Sequence, residues 1–188
     1  MNILRYCALT SLLIVSLASC TIVTSTNIPG KKATKFPKSM LGKFELQYPE
    51  SLAMLSGEGV STYVTFKADR MIIDNEEGQT INMIGDSLFF STIGKQQYLS
   101  LGVEPNISVF KIVKNGKNLD LFSMCASEAI TLSDLEYYFA KVEEIPGEAD
   151  DEGEAGASSY TVTIDDAKLD DYFKSKLPMA DPFKLIKQ

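Results

Sequence analysis

Short segments in which polar and apolar residues alternate, separated by glycine-containing turns, restrict the fold of this chain more than any other feature. Lys43–Tyr48 alternates strictly, and Val60–Phe66 is rich in β-branched and aromatic residues. Further segments of this kind lie at Met71–Asp74, Thr80–Ile84, Leu88–Ile93, Gln97–Leu101, Ile107–Val113 and Leu119–Met124. Asn115-Gly116 and Gly94-Lys95 supply the positive φ that tight hairpin turns need. Residues 41–142 therefore predict a mainly β domain, an antiparallel meander that forms a barrel or half-barrel roll of about eight to ten strands.

The C-terminal residues 158–188 predict a strand, a helix and a second strand that pack on the same domain. Tyr160–Ile164 alternates as a strand, and Phe183–Ile186 is typical of a short edge strand. A helix is predicted from Asp166 to Lys176, because its acids come early and its lysines late. Three apolar side chains fall on one stripe of this helix: Leu169, Phe173 and Leu177. We therefore expect a C-terminal α-helix packed on the sheet.

The segment 133–142 supports two structures. Ser133-x-x-Glu136 has the pattern of a helix capping box. Leu135–Val142 fits a ninth strand equally well. Both alternatives stay open from the sequence.

Charge divides the chain into regions. Its net charge of −7 argues against a nucleic-acid partner bound through phosphates. Seven acids and no base fall in residues 143–154, so 143–157 predicts a solvated acidic loop, and its spacing does not fit a calcium loop. Residues 20–40 are rich in Lys, Thr and Ser, contain no acid and have no hydrophobic period, which predicts a flexible tether.

The first nineteen residues have the organisation of a secretory leader. Arg5 is followed by an apolar run, Cys7–Ala18. As a helix this run would be about 18 Å long, too short to cross the roughly 30 Å hydrocarbon core of a bilayer. A basic start, a short apolar middle and small residues before a break are typical of a cleaved signal peptide.

The break itself reads Leu17-Ala18-Ser19-Cys20. This tetrapeptide resembles the lipobox of bacterial lipoproteins. The resemblance implies cleavage between Ser19 and Cys20, and acylation of Cys20 so that the chain is anchored to membrane lipid. Thr21, in place of an aspartate, implies sorting to the outer membrane, and we expect the periplasmic face.

Few residues suggest catalysis. The chain has no histidine, which excludes histidine-dependent triads and imidazole metal sites. With the leader removed and Cys20 acylated, Cys125 has no cysteine to pair with, and we interpret it as a small buried hydrophobe. The carboxylate pairs Asp165/Asp166 and Asp170/Asp171 fit favourable partners of a helix dipole. We therefore predict no catalytic residue, no metal and no cofactor.

The predicted strands contain many aromatic residues. They either fill the core or line a roll that holds an apolar ligand. With Gly42-Lys43-Phe44 at its start, the meander is similar in architecture to lipocalin-like β-barrels. We expect a non-catalytic, lipid-anchored envelope protein that binds an apolar small ligand or an envelope protein. The alternatives are an accessory subunit of an outer-membrane complex and, less favoured, a carboxylate-based enzyme.

Overall fold

A computed structural model of the chain describes residues 21–50, 52, 61–76, 78–125, 130–147, 158–175, 178 and 181–188. The predicted leader, Ser19 and Cys20 lie outside the described residues, as does most of the predicted acidic loop. Among the described residues, no helix has the length and apolar character needed to cross a bilayer.

The described residues form thirteen strands and two short α-helices. The strands are β1 (Val23–Ser25), β2 (Lys31–Ala33), β3 (Gly42–Gln47), β4 (Thr62–Phe66), β5 (Arg70–Asn75), β6 (Gly78–Met83), β7 (Leu88–Ile93), β8 (Gln96–Val103), β9 (Asn106–Asn115), β10 (Asn118–Ser123), β11 (Phe139–Ile145), β12 (Ser159–Ile164) and β13 (Phe183–Lys187). The helices are α1 (Leu132–Glu136) and α2 (Leu169–Lys174), and a 3₁₀ turn spans Lys38–Met40.

Ten of these strands form an antiparallel half-barrel, in the order β2-β7-β8-β9-β10-β13-β3-β4-β5-β6. Strands β3 to β10 match the eight predicted segments closely, and β7 matches its prediction end for end. The prediction of a mainly β half-barrel of about ten strands is confirmed.

Buried apolar side chains fill the concave side of the half-barrel. Phe36, Phe44, Phe66 and Phe90 are all at most 4% exposed. The Phe36 ring lies 5.0 Å from that of Phe66 and 5.7 Å from that of Phe90, centroid to centroid. Such edge and tilted contacts are favourable beyond the area they bury. We call this set the inner core; it also includes Leu99, Phe110, Ile112 and Phe183.

A second layer covers the opposite face of β8 and β9. Strand β1 pairs with β9 through Ser25 and Ile107, runs parallel to β12, and β12 pairs with β11. Together with α1 and α2, this layer buries Leu135, Leu169 and Tyr172 against the sheet. We call this set the outer core; it also includes Val23, Ile28, Tyr98, Ile107 and Val109. The predicted packing of a C-terminal helix on the sheet is confirmed.

The prediction of a flexible tether over residues 20–40 is wrong for the described part, 21–40. Val23 and Ile28 are buried in the outer core, and Phe36 and Met40 in the inner core. The Phe36 N–H also donates to the carbonyl of Ala68, at 2.8 Å. The segment shows no hydrophobic period because its apolar residues belong to two different layers.

The final strand is interior, whereas an edge strand was predicted. β13 lies between β10 and β3 and pairs with both. Phe183 and Leu185 are 7% and 1% exposed and belong to the inner core.

The two alternatives for residues 133–142 are both realised, one after the other, as α1 and the start of β11. The capping box is formed by Thr131 and Asp134 instead of Ser133 and Glu136. The Asp134 carboxylate accepts hydrogen bonds from the Thr131 hydroxyl, at 2.6 Å, and from the Thr131 N–H, at 2.9 Å. These two hydrogen bonds lower the pKa of Asp134. Glu143 and Glu144 belong to β11, so the predicted acidic loop begins too early.

The C-terminal helix is shorter than predicted. Residues 165–168 form a turn in which the Asp165 carboxylate accepts the Ala167 N–H at 3.0 Å, so α2 begins only at Leu169. It ends at Lys174, where the Ser175 N–H donates to the carbonyls of Asp171 and Tyr172. Leu169 and Tyr172 form its buried face, and Leu177 lies outside the described residues.

Phe36→Ala tests whether the N-terminal segment is part of the fold. Removing a ring from the inner core lowers the free energy of unfolding by about 3 kcal/mol or more. Lys35→Ala, at an exposed neighbouring position, changes it by less than about 0.5 kcal/mol. Chemical denaturation of both variants measures the difference. Equal stability of Phe36→Ala and the parent chain would contradict the packing.

Candidate functional site

Cys20 and Ser19 lie outside the described residues, but the chain directly after them is packed into the fold. Thr21 is 9% exposed and Val23 only 2%. The Ile22 carbonyl accepts the Tyr160 N–H at 2.8 Å, and Val23 pairs with Tyr160 in the β1–β12 ladder. Thr21, the residue next to Cys20, is therefore already part of the fold.

The aromatic residues of the strands mainly build the two cores. Phe66, Phe90 and Phe110 point into the inner core, and Tyr98 belongs to the outer core. Tyr137 is an exception, with 69% of its surface exposed. The concave side of the roll is thus occupied by its own side chains, and the surfaces left for a partner lie outside it.

Strand β6 lies at one end of the sheet, and its outer edge has no partner strand among the described residues. Among the described strands it pairs with β5 alone. The Ile84 N–H donates to the Asp69 carbonyl, so these two residues form a hydrogen-bonded pair. With the register of the β5–β6 ladder, this bond shows which residues of β6 direct their backbone groups toward β5. In an antiparallel pair every second residue turns its N–H and C=O away from the partner. On β6 these residues include Gln79 and Ile81, whose backbone groups face the open edge.

The outer face of β6 carries no charge of its own and consists of Gln79, Ile81 and Met83. On β5, Arg70 lies opposite Met83 and Asp74 opposite Gln79. Ile81 and Met83 are 55% and 39% exposed, and Ile72 on β5 lies directly opposite Ile81. No residue of β6 carries a charge. On the inner face, Asn82 is buried and accepts a hydrogen bond from the Ser87 hydroxyl at 3.2 Å, which holds the strand in place.

Charged residues distinguish two other outer strands from β6. β2 carries Lys31 and Lys32, both exposed, and β11 carries Lys141, Glu143 and Glu144 on exposed positions. Charges on a sheet edge oppose pairing with another strand. Of these three strands, β6 is the one whose sequence permits such pairing.

A buried polar cluster lies on the opposite side, under α2. Tyr98, Ser91 and Ser100 are each 0% exposed, and their hydroxyls have no hydrogen-bond partner among the described residues. Ser91 lies directly across from Tyr98 in the β7–β8 ladder. Burial, with the Asp170 and Asp166 carboxylates nearby, raises the pKa of the Tyr98 hydroxyl, so it stays protonated. This phenol is therefore a donor and not a base.

An ion pair joins α2 to the sheet beside this cluster. The Lys111 ammonium, on β9 opposite Tyr98, donates to the Asp170 carboxylate at 2.6 Å, and Lys174 donates to its other oxygen at 2.6 Å. The Lys111 side chain is 13% exposed and that of Asp170 26%. The hydrogen bonds from Lys111 and Lys174 lower the pKa of Asp170. The pair fixes the helix on the sheet.

The loop between β1 and β2 closes over the cluster. The Gly30 N–H donates to the Asp166 carboxylate at 2.9 Å. Gly30 has a φ of +61°, and a Cβ there would lie 2.3 Å from the Thr92 carbonyl oxygen. Only glycine fits at this approach. The cluster is thus enclosed by chain, and we interpret it as structural.

The sequence predicts only some of the features of these two surfaces. Lys111 and Asp170 are 59 residues apart, and nothing in either local sequence signals the contact. Asp170 lies in the first turn of α2, as predicted for a dipole partner, and also bonds to Lys111. Asp166 precedes α2 and accepts the Gly30 N–H. The open edge of β6 had a signal, because residues 78–83 contain no charge. Among the described residues, no group of three potential ligands lies close enough to hold a metal ion.

No family model, no curated protein and no solved structure matches this chain.

Asp170→Asn tests the role of the ion pair through pH. Since the pKa of Asp170 is lowered in the fold, its contribution to stability is present above the unfolded pKa and is lost as pH falls through the folded pKa. The variant is expected to be about 2 kcal/mol less stable than the parent at pH 7. That gap should begin to narrow below about pH 3.9, the unfolded value, and close as pH falls through the lower folded pKa.

Asp171→Asn is the matched control. Its carboxylate is 67% exposed and lies 3.7 Å from Lys174, so the change should cost less than about 0.5 kcal/mol. Urea denaturation across the pH range measures both variants. A stability gap of Asp170→Asn that does not depend on pH would contradict the assignment.

Proposed function

We propose that this chain is a non-catalytic envelope protein, anchored to the outer membrane by lipid on Cys20, that binds a partner protein as an added strand on β6. The observation that carries the binding mode is the uncharged, unpaired edge of β6 with Ile81 and Met83 exposed beside it. The lipobox-like Leu17-Ala18-Ser19-Cys20 supports the anchor.

Strand addition uses backbone groups for affinity and side chains for choice of partner. The outward N–H and C=O groups of Gln79 and Ile81 would pair with an extended segment. Ile81, Met83 and Ile72 offer an apolar surface to alternate side chains of that segment. The partner expected is therefore a protein with an exposed strand that has apolar residues at every second position.

A ligand inside the roll is a weaker alternative, because Phe36, Phe66 and Phe90 pack against one another there. The lipocalin-like resemblance then extends to architecture alone. An accessory subunit of an outer-membrane complex remains the second candidate, and the same β6 edge favours it. The two proposals differ in whether the captured partner is itself a membrane protein.

Cys20→Ala tests the anchor. One acyl chain binds a membrane weakly and two or more bind it stably. The parent chain should mature to begin at Cys20 and carry added acyl mass, whereas the variant should keep its leader and gain none. Intact-mass spectrometry of protein from membranes reads both outcomes. A parent chain without acyl mass would contradict the anchor.

Ile81→Lys tests the binding edge. A charge at this edge position opposes strand addition, so capture of the partner after cross-linking in intact membranes should fall several-fold. Val103→Lys, at a position 57% exposed on another hairpin, should leave capture unchanged. Far-ultraviolet circular dichroism checks that both variants fold. Undiminished capture by Ile81→Lys would exclude the β6 edge.

A further inference from the structure

We infer that the folded domain lies directly against the lipid surface, through the face that surrounds the start of β1. This inference rests on the proposed acylation of Cys20. It adds an orientation: the bilayer is the neighbour of one defined face, which we call the anchor face, formed by the start of β1, Leu132 and Ile145.

The chain between the proposed lipid and the folded domain is short. A tether of twenty residues would have a coil span of about 25 Å. Thr21 is already buried, and the Ile22 carbonyl bonds to the Tyr160 N–H. Cys20 is therefore one Cα–Cα step, about 3.8 Å, from a buried residue of the fold. A lipid on its side chain brings the surface around Thr21 to the level of the head groups.

The other parts of the anchor face belong to β11 and to the start of α1. Val23 pairs with Tyr160, and β11 lies beside β12 with Ile145 opposite Ser159. Two strand spacings, about 10 Å, separate β1 from β11. The Tyr160 hydroxyl donates to the Ile130 carbonyl at 3.0 Å, which brings the chain two residues before Leu132 over the start of β12.

The exposed side chains of this face suit an interface with lipid. Ile145 is 48% exposed and Leu132 37%. Apolar side chains at the level of the head groups gain free energy by partial burial. Contact with the head groups would therefore explain why Ile145 and Leu132 are exposed on this side of the domain.

Charge opposes this contact, because the sequence that joins Ile145 to Ser159 contains five acids and no base. Glu143 and Glu144 are exposed on β11, and only Glu143 has an ion-pair partner, Lys141, among the described residues. Anionic head groups repel such carboxylates. The contact therefore depends on the covalent anchor with help from Ile145 and Leu132, and the domain without its lipid should not bind vesicles of phosphatidylethanolamine and phosphatidylglycerol.

Photo-cross-linking to lipid tests the inference. A benzophenone amino acid is introduced singly at Leu132 or Ile145 in the full chain, matured in native membranes, and phospholipid adducts are read by mass spectrometry. The matched controls are Met83, 39% exposed, and Ile81, 55% exposed, on β6 at the far end of the sheet order. Adducts at positions 132 and 145 should exceed those at 83 and 81 several-fold.

A spacer gives the second measurement. About fifteen Gly and Ser residues between Cys20 and Thr21 would let the domain move away by a coil span of about 20 Å. Adducts at position 145 should then fall several-fold while acyl mass on Cys20 is retained. Acylated protein with equal adducts at all four positions would overturn the inference and leave the anchor standing. Absence of acyl mass would instead refute the proposed function.

Discussion

The burial of both faces of the β8–β9 hairpin is the constraint on which the rest of the structure depends. Leu99, Phe110 and Ile112 point into the inner core, and Tyr98 and Val109 into the outer core. A sheet with two apolar faces must be covered on both. The half-barrel covers one face by curling, and the β1–β12–β11 layer with α1 and α2 covers the other.

The N-terminal segment supplies both layers and so connects them. Val23 and Ile28 pack in the outer core, and eight residues further along Phe36 closes the inner core against Phe66 and Phe90. Because the segment is used in this way, it cannot also serve as a spacer. A lipid on Cys20 would therefore hold the domain close to the bilayer. The partner that we propose would bind the β6 edge, because side chains of the inner core fill the roll.

Much of the fold follows from local sequence, since period-two alternation and glycine turns are local signals. Leu88–Ile93 is predicted end for end, and β3 to β10 differ from their predictions by a few residues at most. What local patterns do not carry is the pairing of distant elements. The position of β13 between β10 and β3, and the bond from Lys111 to Asp170, join parts of the chain that only the tertiary fold brings together. The β6 edge could be predicted only in part. Its lack of charge is visible in the sequence of residues 78–83, but its position at the end of the sheet depends on the tertiary fold.

Hydrogen–deuterium exchange over residues 21–40 measures whether this segment is an integral part of both cores. The Thr26 N–H donates to the Val162 carbonyl and the Phe36 N–H to the Ala68 carbonyl, both at 2.8 Å. Peptides containing these amides should be protected nearly as strongly as peptides from β9, because they open only when the cores open. Exchange at the rate of an unstructured chain, with β9 still protected, would contradict the account.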